Sequence, residues 1–144
     1  MKNKVLVTLT LVGLLLTIAA CSAAAGAQGK NLVNIPSADF DKQANIAREV
    51  EVKVGDTFTI TLDSNATTGF QWTVEAKIAN ENILNQISHD YIALNRKALG
   101  QAGTEQWAFK AINAGTTTVS LSYDRNWEGG EKGVRTFELT AVVK

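Results

Sequence analysis

From Val33 onward the chain keeps a period of two, and that regularity excludes most folds. Val50, Val52 and Val54 alternate with Glu49, Glu51 and Lys53, and Phe58, Ile60 and Leu62 with Thr57, Thr59 and Thr61. Phe70, Trp72, Val74 and Ala76 alternate with Gln71, Thr73 and Glu75, and Trp107, Phe109 and Ala111 with Gln106, Ala108 and Lys110. Two more runs, Val119-Leu121-Tyr123 and Phe137-Leu139-Ala141-Val143, close the pattern. Successive side chains of a strand point to opposite faces, so each run buries one face and wets the other. Gly55-Asp56 and Asn113-Ala114-Gly115 supply turn chemistry between runs. Several short strands so punctuated predict an all-β, antiparallel two-sheet sandwich. Its core, with Trp72 and Trp107 inward, is large enough for one domain without disulfides. Asn80 to Leu94 breaks the pattern: Ile83, Leu84, Ile87 and Tyr91 fit a helical stripe or a strand pair, and a turn followed by strands is favoured.

The first 20 residues of this 144-residue chain have a different character. Lys2 and Lys4 precede an almost wholly apolar run from Val5 to Ala20, which is short for a spanning helix and ends in small residues, as a signal peptide does. Ile18-Ala19-Ala20-Cys21 resembles the lipobox of bacterial lipoproteins, which implies lipidation at Cys21, the sole cysteine. An acylated Cys21 would anchor the chain in the bacterial cell envelope, facing the periplasm or the exterior. Ser22 rather than Asp after it resembles an outer-membrane sorting signal of diderm bacteria. Residues 21–34, small and polar at their start, are expected to be a lipidated flexible tether, and 35–144 the sandwich domain. Without Lys2 and Lys4, the 14 basic residues become 12 against 14 acidic ones, a net charge of −2. No basic run or basic-aromatic interleaving is present, which argues against nucleic acid.

Catalytic constellations are thin. The single histidine, His89, lies between Ser88 and Asp90, which on a strand point away from it, so the run cannot form a triad. It reads as a surface residue. Clustered Cys and His for zinc are lacking, and Asp124, Glu128 and Glu131 around Gly129-Gly130 do not match a calcium-loop spacing. No phosphate-cradling glycine loop opens a helix. The expectation is a non-enzyme, a monomer, with no metal and no cofactor.

What remains is three loops. Asn65-Ala66-Thr67-Thr68-Gly69-Phe70 lies between two alternating runs and would join two strands of a sheet: Gly69 can take a positive φ and Asn65 can bond its own backbone. Gly100-Gln101-Ala102-Gly103 and Arg125-Asn126-Trp127 could share an edge with it. These three loops, in this order from Ile46 to Val143, resemble the chagasin family, inhibitors of papain-like cysteine peptidases. Its members carry Asn-Pro-Thr-Thr-Gly-Tyr/Phe, glycine-rich and Arg-Pro-Trp loops on one end of an immunoglobulin-like sandwich. Here Ala66 and Asn126 stand in place of both prolines, and Ala102 stands where glycine is more usual.

The resemblance implies an immunoglobulin-like fold and a wedge of three loops filling a papain-like cleft, reversibly and without covalent chemistry. Thr67, Thr68 and Gly69 would approach the catalytic cysteine. Trp127 would lie on an aromatic wall, Arg125 would add a charged contact, and Gly100–Gly103 would pair with the substrate-binding strand. Phe70 is expected to pack under its loop and Trp127 to be exposed. The rival reading is a lipid-anchored adhesion or carbohydrate-binding module stacking sugars on the same aromatic tips.

Overall fold

The computed structural model describes residues 32–93 and 102–144. The expected signal peptide, Cys21 and most of the tether fall outside these residues, as do Gly100 and Gln101. In chain order the elements are β1 (Leu32–Ile35), a one-turn helix α1 (Ser37–Phe40), β2 (Asn45–Val52), β3 (Thr57–Ser64), β4 (Gln71–Trp72) and β5 (Lys77–Ile78). The longer strands β6 (Leu84–Ala93), β7 (Gly103–Ala111), β8 (Gly115–Asp124) and β9 (Arg135–Val143) follow.

They form the expected two-sheet sandwich. One sheet has the order β1-β3-β7-β6; the other runs β2-β9-β8-β4, with β5 also on β8. The interior pairings β3–β7, β6–β7 and β8–β9 are antiparallel, whereas the edge strands β1 and β2 pair in parallel with β3 and β9. Both parallel strands come from the segment before Val54, which lacks a hairpin partner in sequence and reaches the two free edges instead. Leu32 to Asn34, expected in the tether, form most of β1. The short helix was not expected either; it folds Phe40 into the core, against Trp72 at 5.3 Å between ring centroids.

Inward residues follow the alternation: Phe58, Ile60 and Leu62 from β3, Trp107 and Phe109 from β7, Val119 and Leu121 from β8, Phe137 and Leu139 from β9. Phe58 and Phe109 are register partners and stack at 5.4 Å, joining the two central strands of their sheet on the buried side. Two expectations fail at the ends of runs. Val54 is exposed because β2 stops at Val52 and the chain turns through Gly55, at φ +89°. Val74 is exposed because the run expected from Phe70 to Ala76 is strand only at Gln71–Trp72. Of the segment Asn80 to Leu94, the described residues through Ala93 form a turn and one strand, β6, with a bulge between Gln86 and Ser88.

Topology fixes the placement of the loops. The C-terminal ends of β3 and β8 and the N-terminal end of β7 lie at one pole, since Ser64 pairs with Gly103 and Trp72 with Tyr123. At the other pole lie the Lys53–Asp56 turn and the chain end, where Val54 N–H donates to the Lys144 carbonyl. The core should be sensitive to volume. Phe109→Ala, which removes a fully buried ring, is expected to cost about 3–5 kcal/mol. Urea unfolding checks this as a lower midpoint at an unchanged slope.

Candidate functional site: three loops at one pole

Loop 1 is built on Asn65. Its Oδ1 accepts from Thr67 N–H at 3.2 Å and from the Thr67 hydroxyl at 2.6 Å, while its carbonyl accepts from the Thr68 hydroxyl at 2.7 Å. Residues Ala66–Thr68 close a single 3-10 turn, which ends on Gly69 at φ +78° with its N–H donating to the Ala66 carbonyl. An L-residue is strained at that φ, so the turn needs glycine. The Asn65 N–H donates to the Tyr123 hydroxyl at 3.0 Å, fastening the start of the loop to β8. Ala66, Thr67 and Thr68 are exposed at the tip. Both threonine hydroxyl protons are thus committed inside the loop; what the tip offers a partner is hydroxyl lone pairs, methyl groups and backbone.

The expectation that loop 1 joins two strands of one sheet is corrected. Strand β3 belongs to one sheet and β4 to the other, so loop 1 carries the chain across the end of the sandwich. Trp72 fixes the crossing: its backbone pairs with Tyr123 of the second sheet, and its indole N–H donates back to the Asp63 carbonyl of the first at 3.0 Å. Trp107 supports the next step, its indole N–H shared between the Thr73 and Val74 carbonyls at 3.1 Å each.

Loop 3 folds back on itself. Arg125 N–H donates to the Glu131 carbonyl at 2.9 Å and Gly130 N–H to the Trp127 carbonyl at 3.0 Å; Lys132 Nζ reaches the Arg125 carbonyl. Asp124 accepts from the Ser122 hydroxyl and from Gly133 N–H, so it serves the loop's base. Asn126 and Trp127 are exposed, Trp127 to 52%. Arg125, expected to add a charged contact to a partner, is engaged with its own neighbours in this cluster. Its guanidinium sits 4.3 Å from the Phe70 ring centroid and 5.5 Å from that of Trp127, and pairs with Glu131 at 3.2 Å. A cation over two rings is attracted by both π faces, and here it ties loop 1 to loop 3.

Behind Arg125 the contacts run inward without a gap. Phe70 stacks on Tyr123 at 5.5 Å, Tyr123 meets Trp72 at 5.1 Å, and Trp72 meets Phe40. Phe70 packs under its loop as expected, and Trp72 and Trp107 are fully buried. Of loop 2, Ala102 lines a depression with Asn65, Thr68, Phe70 and Arg125, and Gly103 opens β7. A Cβ on Gly103 would stand 2.5 Å from the Tyr91 hydroxyl, so glycine there admits the tyrosine ring of β6.

Two residues escaped the sequence reading. Glu105 is only 3% exposed, and its Oε1 accepts from the Ser64 hydroxyl at 2.7 Å and from Trp72 N–H at 3.0 Å. His89, expected at the surface, is 15% exposed at its side chain, with Nε2 2.9 Å from Glu105 Oε2 and its ring 4.9 Å from that of Trp107. The signal was present: Glu105 is in phase with Trp107 and Phe109, and a carboxyl on the inward face needs partners. These groups are partners of one another around a buried acid: the Ser64 hydroxyl and His89 fill the two carboxyl oxygens. Among the described residues no group of three or more His, Cys, Asp or Glu side chains is placed to hold a metal ion.

The join between loops 1 and 3 is tight enough to test. A Cβ on Gly69 would fall 2.7 Å from Cη2 of Trp127. Gly69→Ala therefore meets both a strained φ and an aromatic ring; it is expected to destabilise by about 1–3 kcal/mol, the scale of one disfavoured backbone residue. It should also displace Trp127, giving an altered fluorescence emission that Trp127→Phe abolishes.

A family model described as Chagasin family peptidase inhibitor I42 matches residues 51–141, from the end of β2 to near the end of β9. Chagasin of Trypanosoma cruzi is 36% identical over 90 residues, which span 60% of this chain and 81% of chagasin. Amoebiasin-2 of Entamoeba histolytica is 26% identical over 98 residues, 66% of this chain and 76% of its own. The fold is shared with the crystal structure of EhICP2, a cysteine protease inhibitor from Entamoeba histolytica, at TM-score 0.60 and 20% identity, over 78% of this chain and 96% of that one. It is also shared with PbICP-C, solved in complex with falcipain-2, at TM-score 0.59 and 16% identity, over 78% and 99% of the two chains. An inhibitor acts by binding and needs no catalytic group of its own, which agrees with a pole built from braced loops. With the family model matching residues 51–141 and 36% identity to chagasin over four-fifths of that protein, this chain belongs to the chagasin family of peptidase inhibitors and is not an enzyme.

Proposed function

We propose that this protein inhibits papain-like cysteine peptidases reversibly and noncovalently, seating the loop pole of its sandwich in the active-site cleft. The observation that carries the proposal is loop 1: an exposed Ala66-Thr67-Thr68 tip on a turn held by Asn65, with Trp127 packed beside it on Gly69. A tip whose hydroxyls are already satisfied loses little entropy on docking, and preorganisation of this kind raises affinity. Its narrow profile, with glycine behind it, suits entry into a cleft. Trp127 offers a large rigid ring of the type that dominates interfaces. Ala102 and Gly103, with Gly100 and Gln101 before them, extend the contact along the cleft through backbone groups. Among the described residues no non-glycine residue has a positive φ and no peptide bond is cis, so no strained peptide is offered for acylation there, and the complex should dissociate intact.

The proposal extends to location. The sequence Ile18-Ala19-Ala20-Cys21 supports lipidation of Cys21 in a bacterial envelope, after removal of residues 1–20. The fold is compatible with that anchor. Strand β1 runs parallel to β3, whose far end carries loop 1, and Leu32 pairs with Thr59, five positions before Ser64. At about 3.3 Å per residue the chain enters the sheet roughly 17 Å below the loop pole. An anchor preceding Leu32 would hold the domain from the side opposite the loops and leave them free to meet a peptidase.

The decisive experiment titrates residues 30–144 against papain with a fluorogenic substrate, and against trypsin as a control. Papain activity should fall reversibly while trypsin is untouched. The double substitution Thr67→Ala, Thr68→Ala removes both braces and the tip's methyl and hydroxyl contacts, and should raise the inhibition constant at least tenfold, about 1.4 kcal/mol or more. A folded protein that leaves papain fully active at micromolar concentration would refute the proposal. For the anchor, Cys21→Ser in the full chain should move the protein from the membrane fraction of an expressing bacterium to the soluble one.

A further inference from the structure

Glu105 is a carboxyl where the fold places only apolar side chains, in line with Trp107, Phe109 and Ala111 on the buried face of β7. Burying such a group is unfavourable unless its oxygens are filled, and a packed apolar residue is often at least as stabilising. Its partners are therefore informative. Ser64, the last residue of β3, is the residue before loop 1; Trp72, whose N–H it accepts, is the first buried residue after that loop. Both bonds end on the same oxygen, Oε1, although β3 and β4 lie in different sheets. The second oxygen meets His89 Nε2, which must carry the proton when the carboxyl is ionised, since two bare acceptors repel. Glu105 itself lies two residues past Gly103, where loop 2 ends.

We propose that Glu105 is the positioning residue of the inhibitory pole. One carboxyl clamps both feet of loop 1 and fixes them to the exit of loop 2, so the two loops are presented to the peptidase at a set separation. His89, held against Trp107, locks the carboxyl's orientation by occupying its other oxygen. The clamp touches no partner; it acts through Ser64 and Trp72. This rests on the inhibitor reading, and it deepens that reading by naming what keeps the wedge in shape where the family's prolines are replaced by Ala66 and Asn126.

The test compares Glu105→Ala, Glu105→Gln and Val143→Ala in residues 30–144, which hold both sheets entire. Val143 is buried near the opposite pole, where it pairs with Gly115, and supplies a destabilised control with an intact clamp. Glutamine can accept from Ser64 and Trp72 and donate to an unprotonated His89, so it should keep the clamp. Two readouts are taken well below each protein's melting temperature: the dissociation rate from papain, and the hydrogen-exchange protection of the Trp72 amide. Glu105→Ala should dissociate 10- to 100-fold faster, with an association rate within a few fold, and lose protection at Trp72. Glu105→Gln should recover most of both, and Val143→Ala should change neither. Unchanged dissociation and protection in a folded Glu105→Ala protein would overturn the proposal, as would faster dissociation in Val143→Ala equal to that of Glu105→Ala. Failure of the unsubstituted protein to inhibit papain would sink the inhibitor reading instead, and Trp72 protection would then still decide whether the clamp exists.

Discussion

Trp72 is the residue on which the loop pole depends. Its strand is two residues long, too short to hold a position by backbone pairing alone, yet it is where the chain passes from one sheet to the other. Three interactions hold it there: pairing with Tyr123, the indole bond to Asp63, and the amide bond to Glu105. Its ring lies between Phe40 and Tyr123 in the core. Burying a large aromatic supplies the apolar driving force, and the two N–H bonds set the orientation. Without that staple, loop 1 would hang from two sheets free to slide.

From Trp72 order is passed outward by contact. Tyr123 carries Phe70 on its ring and Asn65 on its hydroxyl; Arg125 covers Phe70 and reaches Trp127. The exposed tryptophan at the tip is thus continuous with the core, which is how a surface aromatic can be rigid enough to act as an anchor. The same chain of contacts bears on the replaced prolines. A compatible proline stabilises by about 0.4–1 kcal/mol through the unfolded chain. The hydrogen bonds around Asn65 contribute on the order of 0.5–1.5 kcal/mol each, at the lower end where they are exposed. Bonds made by Asn65, Thr67 and Thr68 therefore suffice to offset one missing ring, and the turn closes without it.

Much of this was legible in the alternation. Strands β3, β7, β8 and β9 were found because their buried faces read as apolar residues at nearly every second position, whereas β6, buried on its inward face mainly at Leu84, was left ambiguous; the three loops stood out because they interrupt those runs with Gly, Asn and Thr. Val54 and Val74 were misplaced for the same reason: alternation continues past a strand's end when a turn also has one apolar residue in phase. Strand β1 and the helix holding Phe40 were missed because four residues carry too little period to be seen. Glu105 was missed and His89 misread because periodicity sorts apolar from polar residues and is silent on a polar group that is buried.

The sequence by itself determined the fold class, the inward tryptophans and the loop residues, because these follow from local periodicity and turn chemistry. Only the tertiary structure decided that loop 1 crosses between sheets, that Arg125 braces Phe70 and Trp127, and that Glu105 joins Ser64 to Trp72. Arg125 lies 55 positions from Phe70, and Glu105 lies 41 positions from Ser64 and 33 from Trp72. Such contacts depend on which strands become neighbours when two sheets close on one core, and no local pattern encodes that choice.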